Sequence, residues 1–76
     1  MRFRLTVTIT EVVGNLPYKA LVGYICMYNQ FDFRVSKDIT QAYIFTDQHL
    51  ANSIRNLCYN ICLQKGLNYQ IDVEAF

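Results

Sequence analysis

Residues 46–66 read TDQHLANSIRNLCYNICLQKG, and the reading of this stretch decides the fold. With residues advancing by 100° each, Leu50, Ala51, Ile54, Leu57, Cys58, Ile61 and Cys62 fall within one arc of roughly 140°. Gln48, Asn52, Ser53, Asn56, Asn60 and Gln64 take the opposite side. The spacing predicts one amphipathic helix over about 47–65, capped by Thr46 or Asp47. Lys65 then places a cation in the last turn, and Gly66 supplies a left-handed stop. A helix with one apolar face needs a surface to lie on, and the rest of the chain reads as strand.

Working outward, Arg2 to Thr10 alternates without a break: Phe3, Leu5, Val7 and Ile9 point one way, the arginines and threonines the other. Period two with β-branched residues is the pattern of a half-buried strand. Asn68 to Phe76 repeats it, with Tyr69, Ile71, Val73 and Ala75 opposite Gln70, Asp72 and Glu74. Arg2 and Arg4 on the first strand complement Asp72 and Glu74 on the last, which predicts that these two strands are neighbours. Glu11 to Pro17 reads as a loop, broken by Gly14-Asn15 and Pro17.

Tyr18 to Tyr28 is rich in β-branched and aromatic residues and holds an internal Gly23, which favours strand. The alternative is a helix started by Asn15 and Pro17. Asn29-Gln30 reads as a hairpin turn, followed by a strand to Ser36 with Phe31, Phe33 and Val35 facing inward. Ala42 to Phe45 suits a short further strand. The expected architecture is α+β: a single domain, 1–76, with a four- to five-stranded, mostly antiparallel sheet. One long helix covers one face of that sheet and leaves the other open.

Composition narrows the function classes. Seven basic and six acidic residues are dispersed along the chain, with no run of three like charges, and that argues against a concentrated nucleic-acid or membrane-binding surface. The longest apolar run, Ala20 to Tyr28, falls short of the roughly 20 residues of a membrane helix, and the N-terminus lacks the apolar core of a signal peptide. A chain this small buries only about 60% of its unfolded surface. Charged residues are 17% of it, against about 25% in typical domains. Thin burial and a charge-poor, tyrosine-rich surface together predict self-association, with a dimer favoured.

The residues that could carry chemistry do not assemble into a catalytic motif. Cys26, Cys58 and Cys62 are an odd number without a CxxC knuckle, and they read as packed thiols in a reducing cytoplasm. A Cys26–Cys62 disulfide is the alternative for an oxidising compartment. His49 falls on the helix face away from both helix cysteines, so no metal site and no cofactor are expected. Nor does His49 have a serine, cysteine or carboxylate partner in the pattern, and no enzyme activity is expected.

Tyr18, Tyr24 and Tyr28 share a parity in the second strand, and Arg34 and Lys37 come after them across the proposed turn. If that parity faces away from the helix, it forms an aromatic patch edged with positive charge. Tyrosine and arginine are enriched at interface hot spots, so Tyr18, Tyr24, Tyr28 and Arg34 are the candidate protein-binding residues. The same face with Arg2, Arg4, Arg34 and Lys37 could stack and hold single-stranded nucleic acid, the competing expectation. Tyrosines half-buried in a sheet with their hydroxyls in water would give the same pattern.

Asp38-Ile39-Thr40-Gln41-Ala42-Tyr43-Ile44-Phe45, leading into a helix and a final strand, resembles small phage and prophage accessory proteins. In these a D-I-x-x-A-x-x-F run comes after a strand hairpin and precedes a covering helix. The resemblance spans a little over half the chain. It implies that Ala42 and Phe45 dock under the helix, with Thr46 as its cap. It further implies a non-enzymatic protein that binds and blocks or modulates a host or viral protein, such as a host-defence factor, in the host cytoplasm. A structural oligomer subunit is the remaining expectation.

Overall fold

The computed structural model describes residues 1–76. Four strands form one antiparallel sheet: β1 (Phe3–Val13), β2 (Leu16–Tyr28), β3 (Phe33–Ser36) and β4 (Tyr69–Ala75), in the order β3-β2-β1-β4. A single helix, α1 (Gln48–Lys65), packs against it, giving the α+β fold that the helical stretch implies. β1 and β4 are neighbours, and Arg4 stands opposite Glu74 with their side chains 2.5 Å apart. One of the expected cross-strand charge pairs is thus formed; Arg2 instead contacts the Phe76 ring, and Asp72 stands opposite Thr6.

The expected loop at Glu11 to Pro17 is instead strand on both sides of a two-residue turn. Gly14, at φ 63°, supplies the left-handed residue that lets the chain reverse in Gly14-Asn15 alone. Pro17 is tolerated in β2 because Glu11 and Val13 exchange the ladder bonds with Tyr18 and Leu16, so the Pro17 nitrogen points to an edge with no neighbour. The second turn is longer than expected. Asn29 Oδ1 accepts from the backbone N–H groups of Phe31 and Asp32, closing a loop over Asn29–Asp32. Phe31 consequently lies outside β3 and is 80% exposed, not inward-facing.

Strand β2 carries two bulges. Val7 pairs with Gly23 and Thr8 with Leu21, so Val22 is an extra residue; Ile25 pairs with Val35 and Met27 with Arg34, so Cys26 is another. Each extra residue reverses the facing of the strand beyond it. Gly23 permits the first bulge by close approach: a Cβ there would lie 2.6 Å from the Ser36 carbonyl oxygen and 2.6 Å from Val35 Cγ1.

Beyond the second bulge β2 diverges from β1, and Tyr43–Phe45 enters the gap. Phe45 exchanges two 2.8 Å backbone hydrogen bonds with Phe3, and the Tyr43 N–H donates to the Ile25 carbonyl at 2.9 Å. The segment expected as a short strand is thus an isolated bridge, preceded by a 3-10 turn at Ile39–Gln41. Both Ala42 and Phe45 are buried, and Phe45 joins the core cluster that the helix contributes to.

Asp47 caps α1, its carboxylate accepting from the His49 N–H at 2.9 Å. Gly66, at φ 70°, ends it, and Leu67 N–H closes on the Cys62 carbonyl. Ala51, Cys58, Ile61 and Cys62 form the buried face, whereas Leu50, at the start of the predicted stripe, is 47% exposed. The core joins Ala51, Cys58 and Cys62 of that face to Phe3, Leu5, Val7, Ile25, Phe45 and Ile71. Arg55 Nε donates to the Ile71 carbonyl at 2.8 Å, and Lys65 pairs with Asp32 at 2.8 Å. Gly23→Ala forces its methyl against backbone and is expected to cost about 1–3 kcal/mol, read as a lower urea midpoint with the slope unchanged.

Candidate functional site

The face of the sheet away from α1 is built from alternate residues of four strands. Arg4, Thr6, Thr8 and Thr10 run along β1, and Gln70, Asp72 and Glu74 along β4. By pairing register, Leu21 lies beside Thr8, Tyr24 beside Thr6, Ser36 beside Tyr24, and Arg34 beside Met27. Leu21 is 50% and Met27 55% exposed, Tyr24 is half-buried between them, and Arg34 is exposed. The open face thus carries an apolar stripe, Leu21–Tyr24–Met27, with residues three apart instead of two.

The three tyrosines do not share this face. Tyr18 pairs with Glu11 on the helix side, where its hydroxyl donates to the Glu11 carboxylate at 2.6 Å. This hydrogen bond, and the negative charge behind it, holds the Tyr18 hydroxyl proton above the usual range. Tyr28 also turns to the helix side, stacking on Phe45 with centroids 6.1 Å apart and meeting Tyr43 edge-on at 5.3 Å. Burial, then the hydrogen bond with Tyr43, raises its pKa. Only Tyr24 remains on the open face. A continuous parity from Tyr18 to Tyr28 fails because Val22 and Cys26 each add one residue. Leu21 and Met27 escape a strict alternation for the same reason, and the one cue to them is Gly23 inside a strand.

The basic residues are likewise dispersed. Arg4 bonds Glu74, and its guanidinium lies 4.2 Å from the Phe76 ring and 5.6 Å from that of Tyr24. Arg2 also contacts the Phe76 ring, at 4.8 Å. Thr6 Oγ1 donates to the second Glu74 oxygen at 2.8 Å. The Arg4 hydrogen bond first, then that of Thr6, holds the Glu74 carboxyl below its usual range. Arg34 and Lys37 are exposed and engage no carboxylate. A shallow depression of about 160 Å³ lies beside Arg34, lined by Met27, Tyr28, Asn29, Asp32 and Phe33.

No three His, Cys, Asp or Glu side chains converge as a metal-binding group. The three cysteines are free thiols: Cys58 and Cys62 are buried, and Cys26 is half-buried against the Arg34 carbonyl. Burial, reinforced by Cys62, pushes the Cys58 thiol up to about 11, and burial raises Cys62 as well. His49 is exposed in the first helical turn. No helix is long and apolar enough to cross a membrane. Comparison with protein-family models, curated proteins and solved structures finds no match.

The titrating groups give two measurable outcomes. Because Glu74 is depressed in the folded state, its stabilisation is present above its ordinary value of 4.5 and is lost as the pH falls through the folded pKa. Glu74→Gln should therefore flatten the acid side of a stability-versus-pH curve while lowering stability near neutrality. A thiol reagent at about pH 8 should modify Cys26 first, and Cys58 and Cys62 only at the rate of unfolding, because the thiolate is the reacting form.

Proposed function

We propose that this chain is a non-enzymatic protein-interaction module that acts by occupying a surface of its partner. The observation that carries the reading is the Leu21–Tyr24–Met27 stripe, which two bulges place on the sheet face that no element of this chain covers, with Arg34 at its edge. An amphipathic ring flanked by flexible apolar side chains and an arginine has the composition of an interface centre. The sequence resemblance to phage accessory proteins points to a host or viral protein as the partner. A reducing cytoplasm, where three unpaired thiols persist, is the compartment that suits it.

The nucleic-acid reading has weaker support from the same face. Arg4 is held by Glu74, and Asp72 lies in the same wet row of β4. Binding to phosphates would need several cations free of carboxylates, and on this face Lys19 and Arg34, at opposite ends of the stripe, are the two that border it.

The test is capture of partners from host lysate by the wild-type chain and by Leu21→Glu/Met27→Glu. Both positions are half-exposed, so the double variant should fold. It is expected to bind at least about tenfold more weakly, a loss of about 1.4 kcal/mol. Binding should change little between low and moderate salt. Unimpaired capture by the double variant, or a steep log-linear fall with salt, would overturn the reading.

A further inference from the structure

β4 pairs with β1 only over Phe3–Ile9, and β3 pairs with β2 only from Tyr24 onward. Thr10–Val13 and Leu16–Leu21 therefore leave the sheet as a two-stranded arm with no neighbour on either edge. Its helix-side face continues the buried row Phe3, Leu5 and Val7 through Ile9 to Glu11 and Val13, with Ala20, Tyr18 and Leu16 beside them. The strands span about 40 Å and the helix about 27 Å, so this apolar face outruns its cover. On this face Val13 is 62%, Leu16 75% and Tyr18 45% exposed. Isolated two-stranded ribbons are marginal in water, and apolar tips make them more so.

The surface area agrees. A monomer of 8.9 kDa should expose about 4,800 Å². This chain exposes 5224 Å².

We infer that a second copy of this chain covers the arm. The helix-side faces of two arms pack antiparallel about a two-fold axis, so that Val13 and Leu16 of each tip rest on Ile9 and Ala20 at the base of the other. Leu67, exposed after the end of α1 and two residues before Tyr69, which pairs with Ile9, lies within chain reach of that base. On the packing face Val13, Leu16 and Tyr18, with Glu11 and Leu67, expose on the order of 500 Å² of total surface per copy, about 1,000 Å² for a pair, which reaches the lower limit of a specific interface. The arm carries one acid, Glu11, and one base, Lys19, on opposite faces. The packing face thus carries one charge, Glu11, already engaged by the Tyr18 hydroxyl, and the rest of it is apolar. The interface is separate from the open-face stripe and does not depend on it.

The experiment is light scattering on size-exclusion fractions over a concentration series, with far-UV circular dichroism on every variant. The wild-type chain should show twice 8.9 kDa at the upper concentrations. Val13→Asp/Leu16→Asp should keep its secondary structure and weaken the dimer at least about hundredfold, because each tip would then press two carboxylates onto the apolar base of the other arm. Glu11→Gln keeps an acceptor for Tyr18 and removes the charge that approaches its own copy across the axis, so it should tighten the dimer several-fold. Met27→Glu, on the other face, should leave it unchanged. A wild-type chain monomeric throughout, a dimer that survives the arm substitutions, or one that Glu11→Gln leaves alone or weakens would overturn the inference. Should the arm variant unfold, Leu16→Ser alone gives the same reading with a smaller loss.

Discussion

The backbone bridge between Phe45 and Phe3 is the contact on which the domain depends. At the start of β1 the edge facing β2 has lost its partner, because β2 has already turned away at Cys26. Buried N–H and C=O groups left there would each cost a hydrogen bond's worth of desolvation. Phe45 satisfies both and brings the largest fully buried side chain into the core at the same step. Two residues later Asp47 begins the helix, so the bridge also fixes where α1 starts across the sheet. Sheet closure, core filling and helix placement are one event.

This dependence explains which features could be read from sequence. The helix was legible from its stripe, Asp47 and Gly66 because all three are local, and the strands at Arg2–Thr10 and Asn68–Phe76 because one face of each is wet. The pairing of β1 with β4 was legible because complementary charges report on a neighbour. The bulges were not legible, since an inserted residue such as Val22 or Cys26 looks like any other strand residue. Their cause is non-local: Gly23 packs against Ser36 and Val35, and Tyr43–Phe45 opens the gap below Ile25. The β1–β2 turn was missed for the opposite reason. Gly14-Asn15 alone reverses the chain, while Glu11, Val12 and Pro17 look like loop residues only until the unpaired outer edge is known.

The candidate site inherits this division. Its residue types, tyrosine with arginine beside apolar side chains, were visible; its membership was not. Two one-residue insertions exchanged Tyr18 and Tyr28 for Leu21 and Met27, and sent the two displaced tyrosines to the helix side. There they serve the fold: Tyr28 closes an aromatic cluster with Tyr43 and Phe45, and Tyr18 braces the arm through Glu11. The open face that results is polar along β1 and β4 and apolar along β2. Its two halves therefore suit different work, the first pairing the chain's own charges and the second presenting uncovered carbon.

Pro17 has a consequence for solubility. A protruding ribbon with two free edges is a template for endless strand addition, the route by which soluble chains become fibres. On the outer edge of β2 the donor at position 17 is missing, and the next outward residue is Lys19. A strand trying to add there meets a gap in the ladder and then a charge. The arm can thus keep an apolar surface in water without polymerising through its backbone, and whatever contacts it makes are left to side chains, which can be specific and finite.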